Sequence, residues 1–247
     1  MIQDQVALIT GGIGDIGTAI CRHLCELGAK VVATYHSDRD KAHAWQLEHQ
    51  KKGFNIGLSH VDITNFQSCA DMAADVTQRF GPITILVNNA GLTQDVQLRN
   101  MTEEQWDKVL RTDLYSLFNV TRQVINKMIE QGFGRIINIS SINGQRGQFG
   151  QTNYTSAKAG VHGFTKSLAL EVATKGITVN TISPGYIEGK MISAVPENIR
   201  TQILAQIPVG RFGKPEEVAW MVGFLASEKS AYITGTNFSI NGGLYRC

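Results

Sequence analysis

The chain has 247 residues, a net charge of +2 and 18% charged residues. That length suits one domain with a large buried core, and so even a charge balance excludes both a nucleic-acid footprint and a disordered acidic segment. The opening MIQDQVALIT has no basic stretch ahead of its apolar run, so it reads as a first strand and not as a signal peptide. No apolar stretch approaches the ~18 residues that span a bilayer, so a soluble, cytoplasmic protein with no membrane or nucleic-acid partner is expected. The four cysteines, Cys21, Cys25, Cys69 and Cys247, have no metal-type spacing and read as thiols of a reducing compartment; no metal is expected.

Strand-like runs recur at Val6 to Thr10, Val31 to Tyr35, Ile56 to Val61, Ile83 to Asn88, Arg135 to Ser140, Ile177 to Ser183 and Thr236 to Ile240. Continuous apolar runs alternating with helical segments predict a parallel sheet of seven strands with helices on both faces, an α/β doubly wound architecture. No linker or repeat interrupts them, so residues 1–247 are read as a single domain.

The first strand ends in TGGIGDIG, Thr10 to Gly17, followed by a helical pattern. Read as G-x-G-x-x-G, its glycines are Gly12, Gly14 and Gly17. Between a first strand and a first helix, such a loop lets the backbone approach a pyrophosphate that then faces the helix amides, as in a Rossmann-type domain. A cofactor with a free ribose hydroxyl is usually held by an acid at the end of the second strand. That strand ends in Thr34-Tyr35, and His36, Ser37, Arg39 and Lys41 follow, which suits a 2′-phosphate and so NADPH. Asp38 is the competing acid unless it is a helix N-cap. Asp62, after the third strand, either accepts from an adenine amino group or caps the helix beginning near Asn65. The fourth strand ends in Asn88-Asn89-Ala90-Gly91, small and amide-rich where a ligand crosses the strand ends, although a structural turn explains it too.

A helical pattern then runs from Thr102 to Gln131, apolar on more than one side, as expected for a helix that packs on the sheet and on a partner subunit. The stretch Ser141 to Lys158 offers a hydroxyl at Ser141, a phenol at Tyr154 and an ammonium at Lys158. Tyr154 and Lys158 are four apart and share a face if Thr152 to Thr174 is one helix, ended by Gly176. A neighbouring ammonium should then lower the phenol pKa and make it a usable proton donor to a carbonyl. After Pro184-Gly185, an irregular run from Tyr186 to Asn198 reads as a lid, which extends to about residue 210. Pro215 opens a last helix.

Taken in this order, Thr10 to Gly17, Asn88 to Gly91, Ser141, Tyr154-x-x-x-Lys158 and Pro184-Gly185 resemble the short-chain dehydrogenase/reductase family over essentially the whole chain. The resemblance implies that Ser141 polarises a carbonyl, Tyr154 delivers the proton, and Lys158 tunes Tyr154 and binds the nicotinamide ribose. It adds Gly11, Ile16, Tyr35, Asn89, Ala90, Gly91 and Ile187 to the cofactor contacts, and implies a homotetramer formed through the helices at 102–131 and 152–174. The stretches SSINGQRGQFGQTNY and ALEVATKGITVNTISPGYI are most similar to the branch of the family that reduces acetoacetyl-CoA to (R)-3-hydroxybutyryl-CoA with NADPH in polyhydroxyalkanoate synthesis. That likeness implies that Gln148, Phe149, Gln151, Tyr186 and Asp95 surround the acyl-thioester. The nearest alternative is the same reduction on an acyl-carrier-protein-bound chain, and a more remote one is a dinucleotide-binding subunit with little turnover. Three positions depart from the family pattern. Asp15 stands where the loop has a glycine, Asp113 where a catalytic asparagine falls, and Gly189 where a threonine is usual. Asp15 either meets the pyrophosphate as a like charge or points outward.

Overall fold

Seven parallel strands form one sheet in the computed structural model, which describes residues 2–246. The strands are β1 Val6–Ile9, β2 Lys30–Tyr35, β3 Ile56–His60, β4 Ile83–Asn88, β5 Gly134–Ile139, β6 Ile177–Pro184 and β7 Asn237–Ile240. The helices are α1 Asp15–Glu26, α2 Arg39–Lys51, α3 Phe66–Phe80, α4 Glu103–Leu110, α5 Ser116–Gln131, α6 Asn143–Arg146, α7 Thr152–Val172, α8 Lys190–Ser193, α9 Glu197–Gln206 and α10 Pro215–Ala226. The sheet order is β3-β2-β1-β4-β5-β6-β7, so the chain reverses direction across the sheet between β1 and β4. Ligands of doubly wound sheets lie at that reversal, outside the carboxyl ends of the strands.

β1, β4, β5 and β6 are buried along their whole length, as strands covered on both faces are, and β6 buries Thr178, Asn180, Thr181 and Ser183 along with its apolar residues. One core layer joins the sheet to α1 and α10 through Ile20, Leu24, Val218, Val222 and Leu225. The opposite layer joins it to α3, α5 and α7 through Met72, Val76, Val120, Val124, Ala169 and Val172. Of the cysteines, Cys21 and Cys69 are buried and Cys25 is half-buried. Burial pushes the Cys25 and Cys69 thiols up to about 12, which leaves them unreactive thiols. Cys247 lies outside the described residues.

Two expected elements differ. The pattern at 102–131 is not one regular helix, because a π-helical turn at Arg111–Tyr115 separates α4 from α5. Such turns break the i→i+4 ladder and are frequent at functional sites; this one turns Asp113 fully inward. The run from Tyr186 to Asn198 is not irregular, since it holds α8 and the start of α9. These short helices cover a small separate cluster of Ile192, Ile207 and Phe212. Among the described residues no helix is long and apolar enough to cross a membrane.

Candidate active site

The loop after β1 is shaped by close backbone approach. Gly11 has φ +61°. A Cβ at Gly12 would lie 2.5 Å from the Ala33 Cβ, and one at Gly17 would lie 2.3 Å from the Gly11 carbonyl oxygen. Gly14, where a Cβ would lie 3.4 Å from the Gly11 carbonyl oxygen, serves as N-cap of α1 with no side chain to take its amides. The helix N-terminus therefore stays available to an anion. Gly12→Ala should force α1 away from β2 and lower stability by about 1–3 kcal/mol, the usual cost of overpacking. A thermal melt checks this, and an unchanged melting temperature would contradict the packing argument.

The loop after β4 is stitched to this one. Thr10 Oγ1 accepts from the Asn89 amide at 2.9 Å and the Ala90 amide at 3.0 Å, and Asn89 Nδ2 donates to the Thr10 carbonyl at 3.0 Å and the Gly11 carbonyl at 3.2 Å. Asn88–Gly91 is thus a structural tie as well as a surface beside the glycine loop. Below it, Asn88 Nδ2 donates to Asn138, and Asn138 to Thr165, in a buried polar chain linking β4, β5 and α7.

Lys158 is held beneath the same loops. It is 4% exposed, and its Nζ donates to the Ile139 carbonyl at 3.1 Å and lies 3.2 Å from Asp113 Oδ2. Asp113 Oδ1 accepts from the Leu92 amide at 2.9 Å. A Cβ on Gly91 would come within 2.8 Å of Asp113 Oδ2 and 3.1 Å of Lys158 Nζ, so only glycine lets this loop rest on the ion pair. Burial pushes the Asp113 carboxyl above its usual range, and Lys158 and the Leu92 amide only partly offset this. Burial pushes Lys158 down, but the Asp113 charge and hydrogen bond together with Tyr154 outweigh it, and the ammonium ends above its ordinary value.

Tyr154 stands over this pair, with Lys158 Nζ 5.6 Å from its ring centre. The expectation that Lys158 leaves the phenol with a lowered pKa is corrected here. Burial raises it most, Lys158 pulls it down, Asp113 pushes it up again and a Ser141 hydrogen bond lowers it, for a net upward direction. Burial outweighs one nearby charge because ionising a phenol away from water is penalised by desolvation. Ser141 is 9% exposed, and its Oγ accepts from the Asn143 amide at 3.1 Å.

The residues expected around an acyl-thioester divide into two kinds. Gln148 and Phe149 are exposed on the loop before α7, with Phe149 81% open. Gln151 is buried, accepting from Asn143 Nδ2 at 2.9 Å and donating to Asp95 Oδ2 at 2.8 Å, so it and Asp95 brace the loop that carries Ser141. Tyr186 lies opposite, its hydroxyl accepting from Arg146 at 3.4 Å. Pro184 and Gly185 end β6, where the Pro184 carbonyl accepts from Ile142 and the Gly185 amide donates to Ile240. Ile187 bridges to Gly213.

At the adenosine end, Tyr35 is half-buried and Ser37 and Arg39 are exposed. Asp38 is an N-cap, its Oδ1 accepting from the Lys41 amide at 2.9 Å. Asp62 is not the cap of α3; Asn65 is, accepting from the Ser68 amide. Asp62 accepts instead from the amide and hydroxyl of Thr64 at 2.9 and 2.7 Å. Burial pushes its carboxyl up, but those two bonds outweigh it and hold it below the usual carboxylate range. Asp15 turns to the lid, where its Oδ2 accepts from the Lys190 amide at 2.6 Å.

These residues fit a nicotinamide dinucleotide. The uncapped amides of α1 suit a pyrophosphate, the glycine approaches leave room for it, and Gly91 sits on the buried ammonium of Lys158. With a half-buried phenol and a hydroxyl beside that ammonium, the arrangement can protonate a carbonyl oxygen as hydride arrives. The chain belongs to the short-chain dehydrogenase/reductase family, a class of nicotinamide-dependent oxidoreductases: a family model described as enoyl-(acyl carrier protein) reductase matches residues 12–245. It is 50% identical over 242 residues to an acetoacetyl-CoA reductase of Allochromatium vinosum, with 98% of each chain covered. It is 49% identical to an acetoacetyl-CoA reductase of Cupriavidus necator, with 99% of each covered. To a 3-oxoacyl-[acyl-carrier-protein] reductase of Vibrio cholerae it is 45% identical, covering 99% of this chain and 98% of that one.

Sequence reasoning missed Asn143, which connects Ser141 to Gln151, and Arg146 at the mouth. An amide two residues after a candidate hydroxyl was the available signal for Asn143. Nothing in the sequence pairs Asp15 with Lys190.

Proposed function

We propose that this protein reduces the 3-keto group of acetoacetyl-CoA with NADPH, giving (R)-3-hydroxybutyryl-CoA. The observation that carries the reading is the convergence of Ser141, Tyr154 and Lys158 beside the glycine loop. The higher identity to acetoacetyl-CoA reductases than to the carrier-protein reductase supports the CoA thioester. NADPH is supported by the second strand, which ends without a free acid because Asp38 caps α2.

When bound, the cofactor supplies the hydride. Ser141 donates to the substrate carbonyl and orients it. Tyr154, kept protonated by its burial, gives its proton to the same oxygen, and Lys158 offsets the phenolate charge that results. Gly11, Gly12, Gly14, Ile16, Gly17, Asn89, Ala90, Gly91, Pro184, Gly185 and Ile187 hold the dinucleotide, with Tyr35, Ser37 and Arg39 at its phosphate end and Asp62 at its adenine. Gln148, Phe149 and Tyr186 face the thioester, with Gln151 and Asp95 bracing that wall. A homotetramer would cover Tyr115, Phe118 and Leu170, apolar side chains left open on the π turn, α5 and α7.

Comparing kcat/KM for acetoacetyl-CoA with that for the same acyl group on an acyl carrier protein tests the substrate. A preference for CoA is expected; a preference for the carrier protein would replace this reading by the alternative.

Asp113→Asn should move the pH profile. The asparagine oxygen keeps the Leu92 bond, while the charge that pushes Tyr154 up is removed. Tyr154 must be protonated to act, so activity is lost as pH rises through its pKa. A lower pKa brings that loss to lower pH. The stronger acid should also raise the maximal rate about two- to threefold. A variant slower at every pH would make Asp113 a relay residue instead.

A further inference from the structure

The segment after β6 is tied down at its base by backbone bonds. The Gly213 amide donates to the Tyr186 carbonyl at 2.9 Å, and the Glu188 amide donates to the Gly213 carbonyl at 2.8 Å. Its tip is held differently, by one side chain from the start of α1. Asp15 Oδ2 accepts from the Lys190 amide at 2.6 Å, across 175 positions of sequence. Gly189 beside it has φ +152° and ψ −175°, a region that is essentially open to glycine alone. A Cβ there would lie 2.4 Å from Asp15 Oδ2 and 2.9 Å from its Cγ. The carboxylate and the bare glycine are therefore one fitted contact. The carboxylate also sits in the first turn of α1, where the helix dipole favours a negative charge.

We propose that Asp15 is a positioning residue that latches the tip of this lid onto the mouth of the dinucleotide loop, with Gly189 as its keeper. Asp15 is the first residue of α1, directly after the N-cap Gly14, so the latched tip lies across the way in and out of the pyrophosphate site. Behind the latch, the segment rests on the small cluster of Ile192, Ile207 and Phe212, separate from both main core layers. Release of the Asp15 bond leaves the tip beyond the tied residues 186–188 held only by that small cluster. Cofactor exchange then requires that bond to open. The carboxylate, occupied by an amide of the lid, is also kept from the phosphates.

The inference rests on the dinucleotide reading of the loop and not on the identity of the substrate. It is tested by stopped-flow fluorescence of NADPH release from the intact protein. Asp15→Ala should speed dissociation about tenfold, the scale of one hydrogen bond to a charged group, and should raise amide hydrogen exchange at residues 187–195. Asp15→Asn keeps an acceptor oxygen and should stay close to the parent. Gly189→Ala should speed release in both backgrounds, because alanine is strained at this φ, but by clearly less in Asp15→Ala, where the carboxylate that the new methyl meets is gone. An unchanged release rate in Asp15→Ala, or an equal effect of Gly189→Ala in both backgrounds, would overturn the latch. Failure of the parent itself to bind NADPH would instead overturn the dinucleotide reading.

Discussion

Tyr154→Phe is expected to lower the rate of carbonyl reduction by roughly a hundred- to ten-thousand-fold, the usual range for a positioned proton donor. Only the hydroxyl is lost. The ring keeps its place over Lys158, and the glycine loop is untouched, so NADPH should bind nearly as in the parent. Ser141→Ala should have a weaker effect, since in the proposed reaction the Ser141 hydroxyl orients the carbonyl without supplying the proton. Because burial lifts the Tyr154 phenol, the donor is protonated at neutral pH and the parent should lose activity only on the alkaline side. Steady-state rates together with a fluorescence titration of NADPH check both halves of the expectation. Activity within tenfold of the parent would remove Tyr154 as the acid.

Tyr35→Asp is expected to shift cofactor preference from NADPH toward NADH by about a hundredfold in the ratio of kcat/KM values, the scale of a like-charge contact of several kcal/mol. The new carboxylate would stand at the end of β2, where it repels a 2′-phosphate and accepts from a ribose hydroxyl. Ser37 and Arg39, both exposed just beyond, would lose the phosphate they are placed to meet. A parent that already prefers NADH would contradict this. Asp38 is a poor substitute ligand in that event, since one of its oxygens already caps α2.

Much of the fold was legible because its signals are local. Apolar runs that must be covered on both faces mark β1 and β4, and Gly176, with φ +74°, closes the 3₁₀ turn that continues the helix carrying Tyr154, where a C-terminal glycine should. The Tyr154 and Lys158 spacing was equally readable. What resisted reading depends on contacts between distant parts of the chain. The π turn has no residue signature, and the partner of Asp113 lies on another helix. The upward direction at Tyr154 comes from burial, which the Lys158 spacing does not report. α8 is a single turn and α9 buries none of its residues, so neither shows a clear apolar stripe in sequence. Asp62 was half readable: a carboxylate after β3 was visible, but that Asn65 takes the cap follows only from the turn Asp62 makes with Thr64.

The central claim is a stereospecific, NADPH-dependent reduction of acetoacetyl-CoA. It is met most directly by mixing the purified protein with NADPH and acetoacetyl-CoA, following the NADPH absorbance band, and resolving the product on a chiral column. One NADPH consumed for each thioester, with (R)-3-hydroxybutyryl-CoA as the product, is the expected result. NADPH bound but not consumed, or the (S) product, would contradict it.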